Sequence, residues 1–178
     1  MNLPASQLEL LEASVKRLSV RLPETPELCI LIVRVLQQVA RELGEMLEQR
    51  LRPFGVSEGE FRVLVTLYSQ PECIGHPSEL CARTAQRPAN MSRICDALVT
   101  RGLITRISSC DDRRRMVLRI TPRGEELVGQ LLPTLFSSLG RLFEGLPELE
   151  RRRLLDLLKH VGKQLETTAT ATAQHGPQ

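Results

Sequence analysis

Aromatic residues are scarce in this chain. They make up 3% of 178 residues, with no tryptophan, one tyrosine and four phenylalanines, so any pocket for a small molecule must be walled by aliphatic side chains. The five cysteines, Cys29, Cys73, Cys81, Cys95 and Cys110, are odd in number and include no CxxC pair. That spacing excludes a disulfide scaffold and a structural zinc site. Cys73, His76 and Cys81 are the nearest approach to a metal constellation, and they lack a fourth ligand. The three histidines, His76, His160 and His175, are scattered with no acid or nucleophile at a fixed spacing, which speaks against an enzyme and against any cofactor. The longest apolar run, Leu28 to Val33, stops at Arg34 and is far too short to cross a bilayer. The first residues lack a basic segment followed by an apolar one, so no signal peptide is expected. With 42% hydrophobic and 25% charged residues, the expectation is a soluble, cytoplasmic globular protein.

Lysine is absent from one long stretch, and there the chain becomes informative. From Arg83 to Arg123 ten arginines face only Asp96, Asp111 and Asp112, a local excess of seven positive charges on a chain whose total is +3. The remainder is therefore net acidic. Clustered arginine on an acidic background is the electrostatic footprint of a phosphate-binding surface.

The periodicities predict a mainly α (α+β) fold. Residues 1–25 read as a short amphipathic helix and arm. Residues 26–56 carry a long helix whose first half, Leu28 to Val39, is apolar nearly all round. Such a helix must be covered on several sides, and a chain this short points to a second subunit. Ser57 and Glu60 form a capping box ahead of a helix bearing Phe61, Leu64, Val65 and Tyr68. Pro71 to Pro77 is a loop able to hold a short edge strand. Two short helices follow, Ser78 to about Ala85 and Ala89 to Arg101, the second closed by Gly102. Alternation then marks strands over Leu103–Ile107 and Met116–Ile120, joined by a polar tip around Ser108 to Arg114. Thr121 and Pro122 start a further helix. Two amphipathic helices occupy 123–166, and the threonine–alanine tail, 167–178, is expected to be disordered.

Helix, short helix, turn, helix and basic hairpin form the order of a winged helix-turn-helix, here over residues 57–122 with a recognition helix at 89–101 and a wing at 103–121. The major groove admits one helix, read by its first residues. Met91, Ile94, Cys95 and Leu98 share the inner face of that helix. Arg87, Ala89, Asn90, Ser92 and Arg93 are the candidate DNA contacts, arginine suiting guanine and asparagine suiting adenine. Arg113, Arg114 and Arg115 on the tip can reach phosphates or a narrow minor groove.

Pro77-Ser78-Glu79-Leu80, Ser92-Arg93-Ile94, Arg101-Gly102-Leu103-Ile104 with Arg106, Asp112-Arg113-Arg114 and Ile120-Thr121-Pro122-Arg123-Gly124 resemble the MarR family, and within it the multidrug-efflux repressors most. The resemblance spans about residues 5–166. It departs at Ala85-Gln86, where small serine- or glycine-like residues are usual, and at Pro88. It implies a bacterial homodimer on double-stranded operator DNA, with the N-terminal long helix and the last two helices forming a dimerisation lobe. It implies further that Asp112 braces the wing, that Arg114 is the minor-groove arginine and that Arg106 sits at the wing base. A small lipophilic or phenolic effector would bind between the lobes and release the DNA, its anion held by an arginine such as Arg83 or Arg101. The alternative on the same fold is a thiol-based oxidant sensor using Cys29 or Cys110. Cys29 lies in an apolar run and lacks the tyrosines that surround the reactive cysteine of peroxide-sensing relatives.

Overall fold

The computed structural model describes residues 5–108 and 116–174. It divides into two compact units, residues 1–131 and 132–178.

The first unit opens with α1 (Ala5–Arg21) and α2 (Glu27–Leu51). Pro26 fixes the entry to α2, whose exit is set by a 3-10 turn over Arg52–Phe54 and by Gly55 at φ 62°. A left-handed residue there ends the helix without the penalty a Cβ would bring. Helix α3 (Glu58–Tyr68) starts on a complete capping box: Glu60 N–H donates to Ser57 Oγ at 3.3 Å, and Ser57 N–H donates to the Glu60 carboxylate at 2.8 Å. The loop after α3 supplies the anticipated edge strand, β1 (Ile74–Gly75). Helices α4 (Pro77–Thr84) and α5 (Pro88–Thr100) both carry proline at N1, where its missing N–H costs nothing.

Strands β2 (Ile104–Ser108) and β3 (Met116–Ile120) pair antiparallel, with Ile104 opposite Ile120 and Arg106 opposite Leu118. β1 adds to the other side of β3, giving the order β1-β3-β2. The core of this unit is aliphatic. Leu51, Val63, Leu64 and Leu67 are fully covered, and so are Leu98 and Val128. Each such side chain contributes about 1.5–3 kcal/mol by leaving water.

Helix α6 (Pro122–Leu142) begins against the strands. Thr121 N–H donates to Leu103 O at 3.0 Å, its hydroxyl lies 2.8 Å from Gly102 O, and Gly124 N–H donates back to Thr121 Oγ1 at 3.1 Å. The resulting approach is so close that a Cβ on Gly124 would lie 2.3 Å from Leu103 O. This contact is the physical content of the Thr-x-x-Gly pattern.

The second unit holds the end of α6, a turn with Gly145 at φ 81°, and α7 (Glu148–Gln174). Here the structure corrects the sequence reading. The tail expected to lose structure from residue 167 continues α7 to Gln174. The Thr167 and Thr168 hydroxyls donate to the carbonyls of Lys163 and Gln164 at 3.0 and 2.9 Å, and extending an existing helix through alternating threonine and alanine costs far less than nucleating one. Composition alone hid that difference.

Candidate nucleic-acid interface

Helix α5 presents two opposed faces. Met91, Ile94, Cys95 and Leu98 are buried, and their hydrophobic contacts hold the helix to the domain. Arg87, Ala89, Ser92 and Arg93 are exposed at its start. Arg87 is the N-cap, extended at φ −72° and ψ 148°, with its side chain making no capping bond. Ser92 Oγ donates to Pro88 O at 3.2 Å, so its side chain is turned back along the helix.

Asn90 is half-buried and internally committed. Its Nδ2 donates to Gln86 Oε1 at 2.5 Å, and its Oδ1 accepts from Arg93 Nε and Nη2 at 3.3 and 3.0 Å. Gln86 in the turn thus holds Asn90, and Asn90 holds the Arg93 guanidinium. Arg93 retains unused donors, and its orientation is set before any partner arrives. The sequence marked Gln86 only as a departure from the family pattern, although its i, i+4 spacing to Asn90 carried the signal of this contact.

The turn itself shows why small residues suit this position. Ala85 caps α4 at φ 54° and ψ 34°, with its N–H on Cys81 O. An L-residue pays for the left-handed conformation and glycine does not.

Two further arginines fall into structural roles. Arg106 on β2 pairs with Asp96 on α5 across ten residues of sequence, tying the wing base to the recognition helix. No local spacing advertises that pair. Arg101, expected to be a free anion-binding arginine, instead donates to Gly55 O at 2.9 Å and Phe54 O at 3.4 Å and lies 3.5 Å from the Glu60 carboxylate. It clamps the end of the recognition helix to the segment that follows α2, which leaves little of its fork for a ligand. Arg83, Arg87, Arg93, Arg106, Arg119 and Arg123 remain exposed, so the charge excess of this stretch reaches the surface. Asp112, Arg113, Arg114, Arg115 and Cys110 lie outside the described residues. Cys29 is exposed on the single chain. Among the described residues no helix is long and apolar enough to cross a membrane.

Comparison with known proteins agrees with this geometry. Residues 54–115 match the profile described as "MarR family". The Escherichia coli K12 protein named "Transcriptional repressor MprA" is 31% identical over 137 residues, covering 77% of this chain and 78% of that one. AbsC, a MarR family transcriptional regulator of Streptomyces coelicolor, superposes with a TM-score of 0.72 at 26% identity over 79% of this chain and 95% of its own. CouR of Rhodococcus jostii RHA1, solved with p-coumaroyl-CoA, gives a TM-score of 0.67 at 25% identity, covering 73% and 90%. The relatives are regulators of transcription and not enzymes, and with this identity, this coverage and a winged helix-turn-helix in place, the chain belongs to the MarR family.

Proposed function

We propose that this chain is a repressor that binds a palindromic operator as a homodimer at a multidrug-efflux or stress-response operon and is released by small lipophilic or phenolic compounds. The observation that carries the reading is the outward face of α5. Arg87, Ala89, Ser92 and Arg93 stand exposed on a helix whose other face is buried, and this is the arrangement a major-groove reader needs. Arg93, oriented by Asn90, takes the base-reading role. Arg87 sits at the helix N-terminus, where backbone N–H groups also favour a phosphate. Arg113, Arg114 and Arg115 anchor the wing, Asp112 braces it, and Arg106 holds its base.

The dimer reading is supported by apolar surface on each unit. On α2, Leu28, Ile32 and Val33 are exposed, Leu28 to 70%. On α7, Leu154, Leu158, Val161 and Leu165 form an exposed stripe at helical spacing. Surface of this kind marks association. The repressor reading follows the name of the E. coli relative, and the phenolic effector follows the aromatic acyl thioester bound to CouR.

The test is selection of bound sequences from a random duplex library, followed by titration of the selected site. Recovered sequences should converge on an inverted repeat with half-sites about 10 base pairs apart. Sedimentation should give twice the chain mass of 20.0 kDa. Arg114→Ala should weaken binding broadly and lower the salt dependence by about one ion per wing. Failure to enrich any sequence, or a persistent monomer, overturns the reading. Release by peroxide alone, abolished in Cys29→Ser, would replace it with the oxidant-sensing alternative.

A further inference from the structure

Beside the recognition helix lies a cavity of about 410 Å³ that shares only Ser92 with the exposed DNA-reading residues. Its walls come from α4, from the inner side of α5 and from the sheet. Among its lining residues are Cys81, Met91, Cys95, Pro88, Arg106 and Leu118. Three of its nine lining residues bring sulfur, from positions spread over fifteen residues of sequence that no CxxC spacing announces. Cys81 is half-exposed on α4, while Cys95 and Met91 are buried on α5. The surface of the cavity is mostly apolar, so an occupant that leaves a net charge inside pays for desolvation.

We propose that Cys81 and Cys95 form a dithiol site for a neutral thiol-bridging metalloid electrophile, specifically a trivalent aromatic arsenical. The chemistry and the cavity fit one another. A thiol pair condenses with an arylarsenic(III) oxide: two S–H bonds and the As–O bonds break, two S–As bonds form, and the oxygen leaves as one water with both thiol protons. Arsenic stays trivalent throughout, so no oxidant or reductant enters, and the product carries no charge. The aryl ring occupies apolar space of the size small-molecule pockets have, beside the polarisable thioether of Met91. A tetrahedral metal ion is a poorer occupant, because among the described residues no cluster of three or more His, Cys, Asp or Glu exists to complete its shell. Burial and the nearby Cys81 and Asp96 hold the Cys95 thiol above its ordinary range, outweighing the opposing effect of Arg106. The thiolate is the attacking form, so this shift lowers the Cys95 thiolate fraction and makes closure of the chelate onto Cys95 the slow step, with the water released on condensation carrying both thiol protons.

The experiment adds phenylarsine oxide to the reduced full-length protein and reads the adduct by intact mass, so its outcome is independent of DNA binding. One phenylarsenic group per chain is expected at stoichiometric reagent, with Cys81 and Cys95 then protected from alkylation on peptide mapping. Cys81→Ser is the decisive variant, because its half-exposed position tolerates serine and circular dichroism verifies the fold. Loss of the second thiol removes the chelate, so half-occupancy should require roughly 10²- to 10⁴-fold more reagent. A chain with Cys29, Cys73 and Cys110 all replaced by serine should bind as the parent does. Adduct that maps to those three cysteines, or a Cys81→Ser variant that binds like the parent, overturns the proposal.

Discussion

Replacing Gly124 by alanine tests the packing argument in its sharpest form. The added Cβ would stand 2.3 Å from Leu103 O and 2.7 Å from Ile120 Cγ1. Carbon and carbonyl oxygen come no nearer than about 3.3 Å in favourable contacts, so roughly 1 Å of movement is required. The obstacle is backbone and cannot rotate away. It also accepts from Thr121 N–H at 3.0 Å and lies 3.1 Å from the Thr121 hydroxyl. Overpacking costs about 1–3 kcal/mol, and weakening these two hydrogen bonds adds about 0.5–1.5 kcal/mol each. The better helix propensity of alanine returns about 1 kcal/mol. The expected net loss is about 1–5 kcal/mol, read by urea unfolding at fixed protein concentration as a midpoint lower by roughly 0.5–2.5 M. Gly129 supplies the control. It lies five residues further along the same helix with nothing within 4 Å of its would-be Cβ, so Gly129→Ala should stabilise by about 0.5–1 kcal/mol. Equal effects of the two substitutions would refute the reasoning, since propensity alone would then account for both.

Four further outcomes follow from the same geometry. Ala85→Gly relieves a left-handed alanine and should raise stability by about 0.5–1 kcal/mol in the same unfolding assay. Arg93→Ala should cost about 1–3 kcal/mol of operator affinity and relax one base pair per half-site, while Asn90→Ala should blunt the same preference through loss of orientation, both measured by titration against single-base variants of the selected site. Arg101→Ala should destabilise by about 1–2 kcal/mol in urea, a value discounted for partial exposure, and Arg101→Lys should recover only part because one ammonium cannot reproduce the fork. Burial raises the Cys95 thiol above its ordinary range. Its contribution to stability is therefore complete below the ordinary thiol range and declines as pH climbs through it. Unfolding midpoints should fall as pH climbs past the ordinary thiol range, and Cys95→Ala should flatten that slope.

Much of the architecture was legible because short-range physics writes it locally. The capping box at Ser57 and Glu60, the left-handed glycine at 102, the proline start at Pro122 and the shift from helical to alternating periodicity at Gly102 each depend on a few neighbouring residues, whereas Pro77 and Pro88, read as lying before their helices, in fact begin them. The inner face of α5 was equally readable, since Met91, Ile94, Cys95 and Leu98 obey helical spacing. Charge clustering was legible in the same way, as an arginine count along a single stretch. The continuation of α7 past residue 167 was not, because low-complexity composition does not report whether a helix is already running.

Only the tertiary structure assigned partners. Arg106 and Asp96, or Arg101 and the carbonyls of Phe54 and Gly55, stand ten and more than forty residues apart. The sequence names these arginines as cations and cannot say which of them are consumed internally. Cys81, Met91 and Cys95 likewise become neighbours only when two helices close over the sheet. Periodicity determines which face of each element is turned inward, and the packing of one element on another determines what that face, or an arginine at its edge, will meet.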